Sequence, residues 1–314
     1  MRDDEGRRGK GLEGASLIER AAERLYKDRK GTGPASGSGS HAHRKKPDGA
    51  AVFSSTEGSE SSQHVHIDLD ALAAHGYLTP KSMRSQLAEE MRLIKRTVVQ
   101  TFWFQEVDRA NLIMVSSAFP GEGKSFVSLN LAISLACEVD FHVLLVDADF
   151  ERPVIFDRLG LGRGPGLMDL LKNPDLDMSE IIMRTNIDRL SVIGPGSRDD
   201  MSTELLASQR MQQIAQEMAD RYPDRLIIFD TPPLLSCSEP AVLAELMGQA
   251  VFVVEADSTQ KEAIEKAVEL VPSTCKLGLV LNKSTPGLGD KHYPYYGYRG
   301  YRDVEDDHPA TEKR

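Results

Sequence analysis

Residues 113–125 restrict the fold of this 314-residue chain more than any other segment. An apolar run of strand type, Ile113-Met-Val-Ser-Ser117, precedes a glycine turn that ends Gly123-Lys124-Ser125, and a helical pattern follows at once. In this order of strand, loop and helix, backbone N–H groups of the turn and of the helix N-terminus face a polyphosphate. The lysine of such a loop reaches the terminal phosphates, and the next hydroxyl binds Mg²⁺. The segment therefore predicts a phosphate-binding loop (P-loop) for a nucleoside triphosphate.

From residue 111 onward, apolar runs alternate with helical patterns. The runs consist mostly of Val, Ile and Leu, which is typical of parallel strands that are buried on both faces. We predict an α/β fold with a mostly parallel sheet, helices on both faces, and functional residues at the carboxyl ends of the strands. The predicted strands cover residues 112–117, 141–147, 190–194, 225–230, 250–255 and 276–281.

Acidic residues stand at the ends of two of these predicted strands. One run ends in Asp147-Ala-Asp149, and the other ends in Asp230. Carboxylates beside a phosphate-binding loop are costly unless they meet a cation, and Mg²⁺ supplies one. Asp147 and Asp149 are two residues apart on an extended chain and therefore point to the same side. We predict that Asp230 and one of this pair organise the metal, while the other accepts the proton of an incoming hydroxyl.

The composition restricts the partners and the compartment. A net charge of −10 argues against general nucleic-acid binding. The three cysteines lie far apart without metal-ligand spacing, as is typical of reduced thiols in a cytoplasmic protein. No apolar stretch approaches the ~18 residues of a membrane span, and the charged N-terminus lacks a signal-peptide core. We therefore expect a cytoplasmic protein that meets a membrane only through a partner.

We divide the chain into three parts. Residues 1–65 contain a short amphipathic helix that begins at the capping box Ser16-Leu-Ile-Glu19, followed by a Gly- and Ser-rich tract that indicates a disordered linker. This helix is equally consistent with a docking peptide for a partner and with a frayed surface helix. Residues 66–285 form the predicted catalytic domain, and residues 286–314 form a predicted flexible tail.

The tail contains five of the eight tyrosines of the chain within nine residues. Such glycine-rich aromatic segments are often adhesive low-complexity tracts or stacking platforms for single-stranded nucleic acid. Because this one follows a phosphate-binding domain, we favour a row of phosphoryl acceptors on a flexible chain. The tyrosines are Tyr293, Tyr295, Tyr296, Tyr298 and Tyr301.

Together these motifs resemble those of the bacterial tyrosine kinases of capsule and exopolysaccharide synthesis, which are P-loop proteins unrelated to eukaryotic protein kinases. The resemblance covers about residues 80–301, and Leu78-Thr-Pro80 with the N-terminal helix is similar to the exosortase-associated subgroup. It implies a P-loop NTPase fold of the MinD/ParA-like type. The motifs that carry it are Ser117-Ala-Phe-Pro-Gly-Glu-Gly-Lys-Ser125, Val146-Asp-Ala-Asp149 with Arg152-Pro153, Phe229-Asp-Thr-Pro-Pro233 and the tail tyrosines.

The resemblance also implies the cofactors, ATP and Mg²⁺, and a role for each site residue. Catalysis falls to Lys124, Asp147, Asp149 and Asp230, and the tail tyrosines become autophosphorylation sites used in trans between subunits. The metal ligands are Ser125, Asp147 and Asp230. The nucleotide-binding residues are Pro120, Gly121, Glu122, Gly123, Lys124, Ser125, Phe126, Arg152 and Asn282, the last near the adenine.

Relatives carry a Glu-x-x-Arg-x-x-Arg motif on the helix before the P-loop, where it serves ring-like self-association. Here Glu89, Arg92 and Lys95 have that spacing on a helix predicted over residues 83–100, and they share one face or nearly so. Lysine in place of the last arginine loses a bidentate fork. A solvated charged helix face is the competing interpretation.

The implied partners follow from the same resemblance. We expect a homo-oligomer, the cytoplasmic segment of a membrane protein that determines polysaccharide chain length, and a cognate tyrosine phosphatase, but no nucleic acid. The protein would act at the periphery of the inner membrane and regulate exopolysaccharide or capsule polymerisation and export.

Two other functions remain open from the sequence. A partitioning or positioning ATPase on the same fold typically has a second lysine early in the loop, and Phe119 stands at that position. An interaction protein whose nucleotide state controls assembly would bind ATP without phosphorylating its tail.

Overall fold

The computed structural model of the chain describes residues 63–221 and 224–284. The predicted N-terminal docking helix, the linker before residue 63 and the tail tyrosines, Tyr293, Tyr295, Tyr296, Tyr298 and Tyr301, lie outside these residues. The described part contains the phosphate-binding loop, the three predicted catalytic carboxylates and the predicted self-association motif.

Eight strands of the described residues form one sheet, in the order β1-β4-β5-β3-β6-β2-β7-β8. All neighbouring strands are parallel except β4 and β5, which are antiparallel. The prediction of an α/β fold with a mostly parallel sheet is therefore confirmed. The strands are β1 (Gln63–Val65), β2 (Leu112–Ser117), β3 (His142–Asp147), β4 (Met183–Thr185), β5 (Leu190–Ile193), β6 (Arg225–Asp230), β7 (Gln249–Glu255) and β8 (Lys276–Asn282).

Helices cover both faces of this sheet. None of the helices in residues 63–221 and 224–284 combines the length and apolarity that crossing a membrane requires. The described helices are α1 (Leu69–Ala74), α2 (Gln86–Phe104), α3 (Lys124–Ala136), α4 (Ile155–Arg158), α5 (Leu167–Lys172), α6 (Met178–Ile181), α7 (Ser202–Leu206), α8 (Gln209–Arg221), α9 (Glu239–Ala244) and α10 (Lys261–Glu269).

The core consists of two apolar layers, one on each side of the sheet. Successive residues of β2 alternate between them: Leu112 and Met114 belong to one layer, and Ile113 and Val115 to the other. Helix α8 contributes to the first layer, and α2 and α3 contribute to the second. Both faces of β2 are thus buried, which explains why its sequence is an unbroken apolar run instead of an alternating one.

Two strands and one helix differ from the sequence-based expectation. Strands β1 and β4 were not predicted, because each has only three residues and their sequences, Gln-His-Val and Met-Arg-Thr, contain no apolar run. Helix α2 begins at Gln86 instead of residue 83, since the Ser85 side chain accepts a hydrogen bond from the Ala88 N–H and caps the helix. It ends at Phe104, four residues beyond the predicted end.

Candidate active site

The phosphate-binding loop connects the carboxyl end of β2 with the first turn of α3. Gly121 and Gly123 have φ angles of +91° and +100°, the left-handed region in which residues with a Cβ are strained. The Ser117 hydroxyl donates a hydrogen bond to the Phe119 carbonyl at 2.8 Å and tightens the start of the turn. Gly123 occupies the N-cap position of α3, so the first turn of this helix faces the loop with its unpaired N–H groups.

Lys124 lies between two of the predicted catalytic carboxylates. Its Nζ is 2.6 Å from Asp149 Oδ2 and 4.0 Å from Asp230 Oδ2, and the side chain is almost entirely buried. Burial lowers the pKa of Lys124, but the negative charges of Asp230 and Asp149 outweigh this effect and raise the pKa above its ordinary value. The lysine is therefore a fixed cation at the edge where β2, β3 and β6 end.

Asp147 is fully buried at the end of β3. Its Oδ1 accepts a hydrogen bond from the Asp149 N–H at 3.3 Å, and its Oδ2 accepts one from the Ile155 N–H at 3.2 Å. Burial, together with the nearby Asp230 charge, raises the pKa of Asp147 to about 8. Asp147 thus fixes the turn that carries Asp149, and its predicted role as a metal ligand remains a prediction.

Asp149 begins the turn after β3. Its Oδ1 accepts a hydrogen bond from the Arg152 N–H at 2.9 Å, which leaves Oδ2 for the ion pair with Lys124. The side chain of Arg152, a predicted nucleotide-binding residue, is exposed on the same turn. One carboxylate oxygen therefore shapes the turn, and the other is held ready beside the lysine.

Asp230 has one oxygen without a hydrogen-bond partner. Oδ1 accepts a hydrogen bond from the Ser128 hydroxyl at 2.9 Å, whereas the buried Oδ2 has none in the described part of the chain. Burial raises the pKa of Asp230, although Lys124 and the Ser128 hydroxyl lower it. Ser125 also lowers the pKa, without the geometry of a hydrogen bond to Oδ2.

These residues fit a magnesium ion. A buried carboxylate oxygen without a hydrogen-bond partner is unusual, and oxygen ligands of this kind suit a hard cation. Within residues 63–221 and 224–284, no group of three or more His, Cys, Asp or Glu side chains is arranged to hold a metal. Mg²⁺ is usually held by one or two protein oxygens together with water and substrate phosphates.

The other predicted nucleotide-binding residues surround the loop. Pro120 and Gly121 are exposed, whereas Glu122 is buried. Phe126 packs on Tyr77, with 5.3 Å between the ring centroids. Asn282, at the end of β8, donates a hydrogen bond from Nδ2 to the Glu122 carbonyl at 2.8 Å. Asn282 is therefore next to the loop, and its contact with the adenine remains a prediction.

Ser128, Tyr77 and Thr259 belong to this site but were not predicted. Ser128 lies one helical turn after Lys124, a spacing that indicates its closeness to that residue. Tyr77 and Thr259 have no comparable signal, because Tyr77 meets α3, and Thr259 meets the loop, through contacts between residues distant in sequence.

The self-association motif is divided between surface and interior. Lys95 is buried, forms an ion pair with Glu138 and donates a hydrogen bond to the Ser134 carbonyl at 3.3 Å, so it joins α2 to the end of α3. Glu89 and Arg92 form an ion pair, and the exposed fractions of their side chains are 63% and 42%. Their role in assembly remains a prediction, and Lys95 contributes to the packing of its own chain.

The chain is similar to known proteins in both sequence and structure. No protein-family model matches the chain. Tyrosine-protein kinase YwqD of Bacillus subtilis (strain 168) is 33% identical over 228 residues, which are 71% of this chain and 90% of YwqD. Tyrosine-protein kinase CpsD of Streptococcus agalactiae is 31% identical over 61% of this chain and 82% of its own length. The match to tyrosine-protein kinase ptk of Acinetobacter johnsonii, at 33% identity, spans only 21% of that longer protein.

Solved structures of similar fold agree with these relatives. The chimerical protein CapA2B2 aligns with a TM-score of 0.59 and 27% identity over 70% of this chain and 92% of its own. The kinase domain of the Escherichia coli tyrosine kinase ETK aligns with a TM-score of 0.54 and 28% identity over 62% of this chain and 76% of its own. With YwqD 33% identical and matched over 90% of its length, and with the ETK kinase domain similar in fold, this chain belongs to the bacterial tyrosine-protein kinases.

Proposed function

We propose that this protein is an ATP-dependent tyrosine autokinase. It transfers the γ-phosphoryl group of ATP to tyrosines of its own C-terminal cluster, in trans between subunits. The observation that carries the proposal is the position of Lys124, buried between Asp149 and Asp230 at the first turn of the helix that follows the glycine loop. The acceptors are Tyr293, Tyr295, Tyr296, Tyr298 and Tyr301.

Phosphoryl transfer in this site depends on an exchange of partners at Lys124. The triphosphate carries more negative charge than the Asp149 carboxylate. The ammonium group of Lys124 therefore turns to the β- and γ-phosphates when ATP binds. Asp149 Oδ2 is then free to accept the proton of the incoming tyrosine hydroxyl. The phenolic oxygen bonds to the γ-phosphorus as the bond to the ADP oxygen breaks, and the charge released is neutralised by Lys124.

The metal site of this proposal consists of Ser125, Asp147 and Asp230. Bound Mg²⁺ neutralises charge on the phosphate oxygens. Asp147 orients the turn that carries Asp149, since its carboxylate accepts the Asp149 N–H. Helix α3 and strands β3 and β6 thus present one preorganised edge to the nucleotide, which is what catalysis by positioning requires.

The cellular role follows from the family. We propose that the kinase regulates polymerisation and export of an exopolysaccharide or capsule. It would work at the cytoplasmic side of the inner membrane, as a homo-oligomer activated by the cytoplasmic segment of a membrane protein and reset by a tyrosine phosphatase. Membership among bacterial tyrosine-protein kinases and the sequence resemblance described above support this role.

Phosphosite mapping tests the proposal. The full chain is incubated with ATP and Mg²⁺, and phosphate is located by mass spectrometry beside a Lys124→Met control. We expect phosphate on the tail tyrosines of the wild type and none on the variant. Bound ATP without any phosphate on the tail would instead favour the scaffold ATPase.

A further inference from the structure

Glu122 places a buried carboxylate inside the phosphate-binding loop itself. Only 3% of the residue is exposed, and no cation of the described residues forms an ion pair with it. Oε2 accepts a hydrogen bond from the Phe119 N–H at 2.8 Å, and Oε1 accepts one from the Thr259 hydroxyl. A buried charge depends on such donors, because each missing one leaves a desolvated oxygen unpaired.

Thr259 is built to supply that hydrogen bond. It lies in the connection between β7 and α10, and its Oγ1 accepts a hydrogen bond from the Glu255 N–H at 3.1 Å. Since that contact uses a lone pair of the hydroxyl oxygen, the proton is directed to Glu122. The contact joins residues 137 positions apart and ties the loop to the connection that follows β7, the strand next to β2 in the sheet.

Asn282 holds the loop at a second point. Its amide donates to the Glu122 carbonyl at 2.8 Å, and it lies so close to Gly123 that a Cβ there would be 2.0 Å from Asn282 Nδ2. Glu122 is therefore bound through its side chain by Thr259 and through its backbone by Asn282. These contacts attach the loop to the β7–α10 connection and to the end of β8.

We propose that Thr259 is a positioning residue for ATP and that it acts on ATP binding through Glu122. Its hydroxyl keeps the Glu122 carboxylate bound to the β7–α10 connection. A released carboxylate at this position would repel the triphosphate, since like charges a few ångströms apart in a desolvated site strongly oppose each other. The proposal rests on the ATP site of the proposed function and adds a residue to it.

Nucleotide affinity of the full chain provides the first test. We expect Thr259→Val to weaken ATP·Mg²⁺ binding, measured by calorimetry, by about tenfold, as for the loss of one hydrogen bond to a charged group. Thr259→Ser, which keeps the hydroxyl, restores affinity to within about twofold. Thr97→Val is the matched control, because Thr97 is exposed on α2 and, among the described residues, its hydroxyl bonds only to the Leu93 carbonyl, at 3.3 Å. Unchanged affinity in Thr259→Val would overturn the proposal.

A double-mutant cycle shows whether Thr259 acts through Glu122. In a Glu122→Gln background, where no charge is left to hold, Thr259→Val changes the affinity by less than about twofold. An equally large effect in both backgrounds would mean that Thr259 acts by another route, and the proposal would be wrong.

Amide hydrogen exchange tests the same contact without nucleotide. Residues 118–123 exchange faster in Thr259→Val than in wild type, whereas Thr97→Val leaves them unchanged. Equal exchange in all three proteins would contradict the proposal. Neither measurement needs tyrosine phosphorylation, so the two proposals can fail separately. A chain that binds ATP without transferring phosphate would refute the proposed kinase activity, whereas the role of Thr259 would still be decided by ATP affinity and hydrogen exchange.

Discussion

Lys124, Asp149 and Asp230 form a buried cluster with one cation and two carboxylates. The lysine does not neutralise both acids equally, since it lies 2.6 Å from one and 4.0 Å from the other. The cluster is therefore a local cost. In the proposed function, this local cost would be relieved by ATP and Mg²⁺, which would supply phosphate to the lysine and a cation to Asp230. Sites of this kind exchange stability for function.

Asp230→Asn is expected to separate stability from function, because it should raise the first and lower the second. The substitution removes a buried charge whose Oδ2 has no hydrogen-bond partner among the described residues, but it keeps an acceptor for the Ser128 hydroxyl. We expect the nucleotide-free variant to gain about 1 kcal/mol in free energy of unfolding, measured by urea denaturation. Tyrosine phosphorylation should fall at least 100-fold. A variant that is less stable than wild type, or that keeps its activity, would contradict this account of Asp230.

The pKa of Asp147 makes stability depend on pH. This pKa of about 8 in the folded chain exceeds the ordinary 3.8. Between pH 4 and 8 the folded state therefore holds a proton that the unfolded state has already lost. Stability from this group is full below pH 4 and declines as pH rises through that window, by at most about 1.4 kcal/mol per pH unit.

Asp147→Asn provides the comparison for this pH dependence. His142, whose pKa is lowered chiefly by burial, acts in the opposite direction below pH 6.5 and is common to both proteins. We expect the free energy of unfolding of wild type minus that of the variant to fall between pH 5 and pH 8. A difference that stays constant over this range would show that Asp147 titrates normally.

At the scale of elements, the connection from β2 to α3 depends on two glycines of unequal tolerance. A Cβ at Gly121 meets no atom within 4 Å, whereas one at Gly123 would lie 2.0 Å from the Asn282 amide. Both have positive φ, so both alanine variants carry backbone strain, and only Gly123→Ala must also displace Asn282.

We therefore expect Gly123→Ala to weaken ATP binding at least tenfold more than Gly121→Ala. Isothermal calorimetry of the two variants measures the difference. Similar affinities in both would show that strain alone, and not the contact with Asn282, decides the loop conformation.

The elements that the sequence predicts well are those that leave a long apolar run in it. The sequence predicts strands β2 and β6 at their observed bounds, because strands that are buried on both faces leave a nearly continuous apolar run. The short strands β1 and β4 depend on neighbouring strands for their hydrogen bonds and leave no such pattern. The antiparallel pairing of β4 with β5 was not predicted for the same reason.

The candidate site likewise contains residues that the sequence predicts and contacts that it does not. Lys124, Asp149 and Asp230 were predicted to converge, because parallel strands deliver their carboxyl ends to one edge. The burial of Lys95 against α3 and the bond from Thr259 to Glu122 depend on tertiary packing between segments that are far apart in sequence. Local spacing contains no record of these contacts.

For the whole molecule, the central claim is that one subunit's site phosphorylates another subunit's tail. The catalytic site and the acceptor tyrosines can be removed separately, each by its own variant. Lys124→Met keeps the tail tyrosines and loses the cation of the site, whereas replacing the five tail tyrosines with phenylalanine keeps the site and removes the acceptors.

Mixing these two variants with ATP and Mg²⁺ is the most direct measurement. Neither variant alone should gain tail phosphate, and in the mixture the Lys124→Met chains should become phosphorylated on Tyr293–Tyr301. If these chains stay unmodified while wild type phosphorylates its own tail under the same conditions, transfer between subunits is wrong.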